Sequence, residues 1–568
     1  MQADTNSNRT KAGTRKRRLA FRLLAVLLGM MPFVLLETGL RLADVAKPTR
    51  IDDPFVGFSG IHPLFELDEE SNVYRTVISR QRFFAQEHFA AKKPENGFRV
   101  FCLGGSTVHG RPFEPDTAFS KWMQLELAAV HPKCDIEVVN CGGISYASYR
   151  LLPILREVLG YEPDLVVIAT GHNEFLEDRT YQAIKARSAF TNTLNDVVYS
   201  SHTVTLIRRL LTSDSGPKAS ATESTELLTE EVKTRLDTKS GYASYHYDDQ
   251  WRADVITHFE STIQSMVHHC RDADVPAILI ALGSNLRDCP PFKSEHPPGV
   301  SAEDLQAWQL AFGNAKAAES KNLEHALELY RKAEAIQAKH ALLAYRMARC
   351  NDLLDRHDDA RDYYRKARQW DVCPLRALDE TLAAIPTAVL SNGNGADKYA
   401  AVIDARDLIE QVSQNNIPGF DWYVDHVHPT TAAHQQIARA LVAEIGKMKL
   451  FPQSNQLPAP KRRLIYQKHF DQLGETYIRN GGRRIGWLEN WARRHKLHSE
   501  SEPRDAFGYE RMGHRYLELG DYESAWQQYA TAIGLDTESL RRLAVHANKL
   551  SEQGREQTAA QLRDWLQR

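Results

Sequence analysis

The sequence predicts a three-layer α/β/α body built on a parallel sheet, with helical additions inside it and after it. Three observations carry that prediction. Five short apolar runs, each the length of a buried strand, alternate with stretches of helical period between residues 98 and 445. From 301 to 372 the strand signal stops and only helix-period residues remain. Close to the N-terminus a basic flank precedes an apolar run, which marks a membrane anchor rather than a folded layer.

Composition sets the outer bounds. At roughly 150 residues per domain, 568 residues call for more than one domain. Apolar content of 42% and charged content of 25% are those of a globular protein, and a net charge of −2 gives no global argument for nucleic acid. The seven cysteines (102, 134, 141, 270, 289, 350 and 373) form no CxxC pair, which argues against a zinc ribbon. Cys102 and Cys141 fall in apolar contexts of buried thiols, whereas Cys289 and Cys373, each beside a proline, are open to pairing or to staying free. Residues 1–22 carry Lys11, Arg15, Lys16, Arg17, Arg18 and Arg22 and read as a cytoplasmic tail. The apolar run Leu23–Leu36 is shorter than the roughly 20 residues that span a bilayer. Snorkelling of Arg22 and Arg41 extends the anchor to 23–43. With no Ala-x-Ala site after it, the expectation is an uncleaved single-pass anchor in the inner membrane, with the body on the periplasmic side.

The elements follow in order. Residues 44–97, with Pro54, Gly57, Pro63 and Pro94, read as an irregular leader packed on the body. Strand one is Arg99–Leu103; Gly104 and Gly105 break it, Ser106-Thr107 follow, and Phe119–Val130 reads as a helix. Strand two, Ile136–Asn140, ends in Cys141-Gly142-Gly143. A helix over Tyr149–Leu159 and Pro163 lead to strand three, Leu165–Thr170. Residues 212–240, rich in Ser, Thr, Glu and Lys, read as a solvated insertion. A helix over Trp251–Arg271 precedes strand four, Ala277–Leu282, and the first part of the body closes near 300. After the insertion at 301–372, the second part (373–450) supplies strand five, Ala401–Asp404, a loop through Asp425 and His428, and a closing helix, Ala432–Met448. Residues 451–568 form a C-terminal helical region, where Lys461-Arg462-Arg463 and Arg493-Arg494-His495 read as solvated helix faces.

A second periodicity runs through the helical parts. Ala326, Tyr330 and Ala333 recur as Ala360, Tyr364 and Ala367, a shift of 34. Gly513, Tyr516, Ala525, Tyr529 and Ala532 repeat the arrangement near the C-terminus, and Ala559 lies 34 beyond Ala525. Small residues where two helices cross, with an aromatic one turn away, resemble the tetratricopeptide pattern. Two repeats are fewer than a free-standing array needs, so the inserted pair is expected to lean on the body or on the C-terminal repeats.

The chemistry is expected at the strand ends. A serine hydroxyl needs a base, a group that orients the base, and donors for the oxyanion. Ser106 follows strand one, Gly142 strand two and Asn173 strand three; Asp425 and His428 share one late loop three residues apart. The ordered set Gly104-Gly105-Ser106-Thr107, Asn140-Cys141-Gly142, Gly171-His172-Asn173-Glu174 and Asp425-x-x-His428-Pro429 resembles the SGNH family of GDSL-type esterases and lipases, in the variant of membrane-anchored bacterial members. The resemblance covers about 98–180, 250–290 and 400–445.

It implies a flavodoxin-like sheet with Ser106 as nucleophile, His428 as general base and acid, and Asp425 holding the imidazole tautomer. The N–H groups of Ser106 and Gly142 and the Asn173 amide would form the oxyanion hole, with Gly143 adjacent to the second donor. Glu174 stands where Asp is usual. His426 is a rival base that the Asp-x-x-His spacing sets aside. His172 is either a substrate contact or an ordinary loop histidine, and His109 is expected to be structural. His268-His269-Cys270 point different ways on a helix and make a poor metal site. The activity implied is hydrolysis of an acyl ester of a glycan or a lipid, with no metal or organic cofactor. Transfer of the acyl group to a cell-envelope glycan, and a non-catalytic assembly role with a protein partner on the helical repeats, are the alternatives.

Overall fold

The computed structural model describes residues 62–177, 231–237, 241–390, 399–451, 457–494 and 502–568, with positions 29, 31, 32, 35–40 and 203. The chain divides into two compact units, Met1–Gly60 with Arg179–Leu228, and Ile61–Asp178 with Thr229–Arg568. In the first unit the Glu37 carboxylate accepts hydrogen bonds from the N–H and hydroxyl of Thr203 at 2.9 and 2.8 Å. Most of the anchor expected over 23–43, and most of the solvated insertion, lie outside the described residues. Among the described residues no helix is long and apolar enough to cross a membrane.

The second unit opens with a small antiparallel sheet of β1 (Phe65–Asp68), β2 (Val73–Thr76) and β3 (His88–Ala90). Over these residues this replaces the irregular leader expected from sequence. Strands of three and four residues are too short to show alternation in the sequence. The sheet is anchored by aromatics: Phe89 packs edge-on against Phe65 and Phe101 with ring centroids 5.0 and 5.3 Å apart.

The main sheet is wholly parallel. Its strands are β4 (Gly97–Gly104), β5 (Asp135–Gly142), β6 (Leu165–Ala169), β7 (Ala277–Ala281) and β8 (Ala400–Asp404), in the order β5-β4-β6-β7-β8. Both faces are covered, which is why these strands read as unbroken apolar runs rather than alternating ones. On β4, Phe101 and Leu103 face one core while Val100 and Cys102 face the other. The chain leaves β4 toward β5 on one side and places every later strand on the other. The loops after β4 and β6 therefore diverge and leave a crevice at the C-terminal sheet edge.

Helices alternate with these strands as α1 (Ser106–His109), α2 (Phe119–Val130), α3 (Ser148–Val158) and α4 (Asp249–Asp272). Four helices then interrupt the body: α5 (Ala302–Ala318), α6 (Leu323–Ile336), α7 (Ala341–Leu353) and α8 (His357–Gln369). The body resumes with α9 (Asp379–Leu390), α10 (Ala405–Val412) and α11 (Thr431–Lys447). Beyond it lie α12 (Ala459–Arg494), α13 (Ala506–Glu518), α14 (Tyr522–Leu535), α15 (Ser539–Glu552) and α16 (Glu556–Gln567). Helices α3, α4 and α9 cover one face of the sheet, and α2 and α11 cover the other.

The inserted helices share a core with the body. Ala344, Ala348, Ala360 and Tyr364 pack with Leu286 and Ile417 from body loops, and the Tyr345 hydroxyl donates to the Arg287 carbonyl at 2.9 Å. The C-terminal helices are tied to both parts. Arg511 makes two hydrogen bonds to Asp288 at 2.9 and 3.0 Å, and Arg504 pairs with Glu319 at 2.6 Å. Gly513 is required where α13 crosses α14, because a Cβ there would meet the Tyr529 ring at 2.3 Å.

One expectation needs correction, and one open alternative is resolved. Arg462 is not simply on a solvated face: its Nε donates at 2.9 Å to Glu126, a carboxylate buried on α2 that needs a cation. Cys289 and Cys373 are both free thiols and pack in one small apolar cluster with Tyr245 and Phe292.

Candidate active site

The Ser106 turn is made by two close approaches. A Cβ on Gly104 would lie 2.2 Å from the Ala169 carbonyl oxygen, and one on Gly105 would lie 2.5 Å from the Asn173 amide nitrogen. Glycine at both positions lets the β4 end pass under the β6 loop, and Ser106 then opens the single turn α1. Gly110 closes that turn at φ 96, its N–H donating to the Ser106 and Thr107 carbonyls.

The histidine loop is a tight hairpin. The Val424 N–H donates to the His428 carbonyl and the Thr430 N–H to the Trp422 carbonyl, both at 2.9 Å. Inside the turn, Asp425 Oδ1 accepts from the N–H groups of Val427 and His428 at 2.9 and 2.8 Å, which fixes the carboxylate locally. Its Oδ2 remains for His428 Nδ1, 2.6 Å away, and His428 Nε2 lies 2.7 Å from Ser106 Oγ. Asn285, after β7, braces the loop from outside by hydrogen bonds to the carbonyls of Asp425 and His426.

Electrostatics keeps Asp425 ionised. Burial pushes its pKa up, but His428 and His426 beside it, with the hydrogen bonds from His428, outweigh that and hold it well below the usual carboxylate range. His426 does not reach Ser106; its Nδ1 lies 3.5 Å from Asp425, and burial lowers its pKa to about 4. His172 is buried with Nδ1 accepting from the Ala377 N–H at 3.0 Å, and burial takes its pKa to about 3. It is therefore packed into the body rather than placed against substrate. His109 is buried under the same turn, and burial likewise lowers it to about 3.

One expected donor is already bonded. The Gly142 N–H is spent on Asn140 Oδ1 at 3.0 Å, and the Gly143 N–H on the Gly104 carbonyl at 2.9 Å. Gly142 is glycine for another reason: a Cβ would strike the His109 backbone nitrogen at 2.1 Å. The next N–H, of Ile144, bonds the Phe83 carbonyl. Ser145 is the first residue of this loop whose N–H donates to no protein group among the described residues, and it lines the same cleft as Ser106 and Asn173. Its φ of 65 is left-handed, which turns the backbone out of the strand direction. The glycine pair drew attention in the sequence because strand hydrogen bonding cannot be counted there; nothing about a serine signals left-handed backbone.

The Asn173 amide donates one hydrogen to the Tyr146 carbonyl at 3.0 Å, leaving its other N–H for the cleft. Glu174, fully buried, accepts from the N–H and hydroxyl of Ser148, both at 2.9 Å. This clamps the Asn173 loop to the loop that holds Ser145. The cleft has a volume of about 690 Å³ and is walled by apolar groups including Phe83, Ile144, Leu236 and Leu375. The arrangement holds a hydroxyl, a base with a fixed tautomer, and N–H donors around one point.

No protein-family model matches the sequence, and no curated protein matches it. Solved structures similar to this chain include an α/β hydrolase from the metagenome of Lake Arreo, Spain (13% identity, 62% of this chain and 96% of that one, TM-score 0.27). An acetylxylan esterase from Geobacillus stearothermophilus is similar at 15% identity over 63% of this chain and 96% of that one, with a TM-score of 0.25. The lipase/acylhydrolase from Enterococcus faecalis is similar at 13% identity over 52% of this chain and 94% of that one, with a TM-score of 0.18.

Proposed function

We propose that this chain is a serine esterase of the SGNH type, acting on an acyl ester through an acyl-Ser106 intermediate. The observation that supports this is the relay from Ser106 Oγ through His428 to Asp425 at 2.7 and 2.6 Å, opening into the cleft. Ser106 Oγ attacks the ester carbonyl carbon while His428 Nε2 takes the hydroxyl proton. The carbonyl oxygen becomes an oxyanion facing the Ser106 and Ser145 N–H groups and the Asn173 amide. The bond to the alcohol oxygen then breaks, and the alcohol leaves with the proton held on His428. Water, giving a proton to the same nitrogen, attacks the acyl carbon and releases the acid and Ser106. Asp425 holds the tautomer and balances the imidazolium throughout. On this reading the helix pairs of α5–α8 and α13–α16 are of tetratricopeptide type, since Ala326, Ala360, Ala525 and Ala559 at their crossings are fully buried.

A fluorophosphonate probe tests the reading on the purified full chain. The wild type is expected to label, and Ser106→Ala and His428→Ala to lose labelling. Labelling retained in Ser106→Ala would remove the nucleophile assignment. A folded but unlabelled wild type would favour a non-catalytic assembly role carried by the helix pairs.

A further inference from the structure

Arg111 stands five residues after the nucleophile and lines the same cleft. Its N–H donates to the Ser106 carbonyl at 3.0 Å, so its side chain is carried by the nucleophile turn itself. It is half-buried, yet among the described residues its guanidinium makes no ion pair and no hydrogen bond. This sets it apart from the buried arginines of the body. Arg99 reaches Glu137, the Tyr161 carbonyl and the Ala90 carbonyl at 2.7–2.8 Å, and Arg150 and Arg511 each meet a carboxylate. A guanidinium cannot shed its charge and carries five donors in a planar fork, so partial burial without a partner is costly.

Neighbouring carboxylates are already committed. Glu114 is paired with Arg484 and faces His109 at 3.9 Å. Glu231, on the cleft wall, faces Arg82 at 3.6 Å, and Asp425 is held by His428. Lys233 also lines the cleft and makes no ion pair among the described residues. The cleft therefore has cationic groups in excess of anionic ones beside the nucleophile. Burial lowers the Arg111 pKa; Glu114 pulls it up and Arg484 pushes it down, and the net direction is downward.

We propose that Arg111 binds an anionic group, a carboxylate or a phosphate, carried by the ester that Ser106 attacks. The proposal rests on the esterase reading, because it takes that ester as the ligand. The planar fork suits either oxyanion and fixes the substrate relative to Oγ through one short turn of backbone.

The test is calorimetric binding to the full-length Ser106→Ala protein, using two matched pairs of esters. Methyl acetyl-glucuronoside against methyl acetyl-glucoside puts the charge on the alcohol side. Phenyl hemisuccinate against phenyl butyrate puts it on the acyl side. The expected result is at least tenfold tighter binding of the charged member in one pair, weakening as salt is added. That ratio should fall to about one when Arg111→Met is added and be partly kept with Arg111→Lys; binding of the neutral member reports that each variant is folded. Equal binding in both pairs, or a preference that survives Arg111→Met, would overturn the proposal. Wild-type turnover of the same esters separates the two layers. Charge preference without turnover sinks the esterase reading and leaves the anion site standing; turnover without charge preference does the reverse.

Discussion

Asn173 and Gly142 look alike in sequence, each in a short polar block after a strand, but the structure gives them different work. Asn173 faces the cleft with one free amide hydrogen, whereas Gly142 is turned into the body with its N–H bonded to Asn140. On the esterase reading, Asn173→Ala should therefore lower kcat by about 10² to 10³ with little change in melting temperature, the loss typical of one oxyanion donor. Gly142→Ala should act the other way. Its new methyl meets backbone at 2.1 Å, so the variant should lose thermal stability. Melting curves beside steady-state kinetics distinguish these outcomes; an Asn173→Ala protein at full kcat would remove the amide from the site. The meeting of Ser106, Asp425 and His428 was legible because side-chain chemistry and spacing name them. Ser145 was not, because a backbone donor is defined by which neighbouring N–H groups are already bonded.

At the level of elements, the parallel strands were legible to within two residues at each end. They are apolar on both faces and bounded by glycine and proline. The three-stranded sheet before β4 was not, since its stability comes from aromatic packing across strands rather than from local pattern. The loops of Asn173 and Ser145 are joined by Glu174, whose two oxygens serve Ser148 at the start of α3. Glu174→Ala would leave a buried N–H and hydroxyl unpartnered, at a cost of about 1–3 kcal/mol for each group. The expected outcome is a lower midpoint in urea together with a kcat reduced more than KM, because both donor loops loosen. Unchanged kcat at a lowered midpoint would show that Glu174 serves stability alone.

Taken as a whole, the molecule is built around neutral buried histidines. Burial lowers His172 and His434 to about 3 and His426 to about 4, against an ordinary value near 6.5. The His172 and His434 Nδ1 atoms both accept backbone N–H groups, which protonation would also disrupt. The unfolded chain takes up these protons below about pH 6.5 while the folded chain refuses them until near pH 3 to 4. Their stabilisation is thus complete above pH 6.5 and is lost as pH falls through that window, by about 1.4 kcal/mol per pH unit for each group. The melting temperature should fall between pH 7 and pH 5, and less steeply in His434→Asn; a rise on acidification would contradict this assignment.

The loop of Asp425 and His428 is also gripped from outside the body. Arg515 Nε donates to the Val424 carbonyl at 2.5 Å, just before Asp425. Three residues on, Glu518 accepts from the N–H and hydroxyl of Thr431 at 2.8 and 2.7 Å, just after His428. One helix therefore holds both shoulders of the loop that carries Asp425 and His428, from a position more than eighty residues further along the chain. During synthesis the sheet, the serine and the histidine would all emerge before the residues that set them in register. On the esterase reading, a nascent chain would carry Ser106, Asp425 and His428 before α13 had been made to grip the loop that holds two of them.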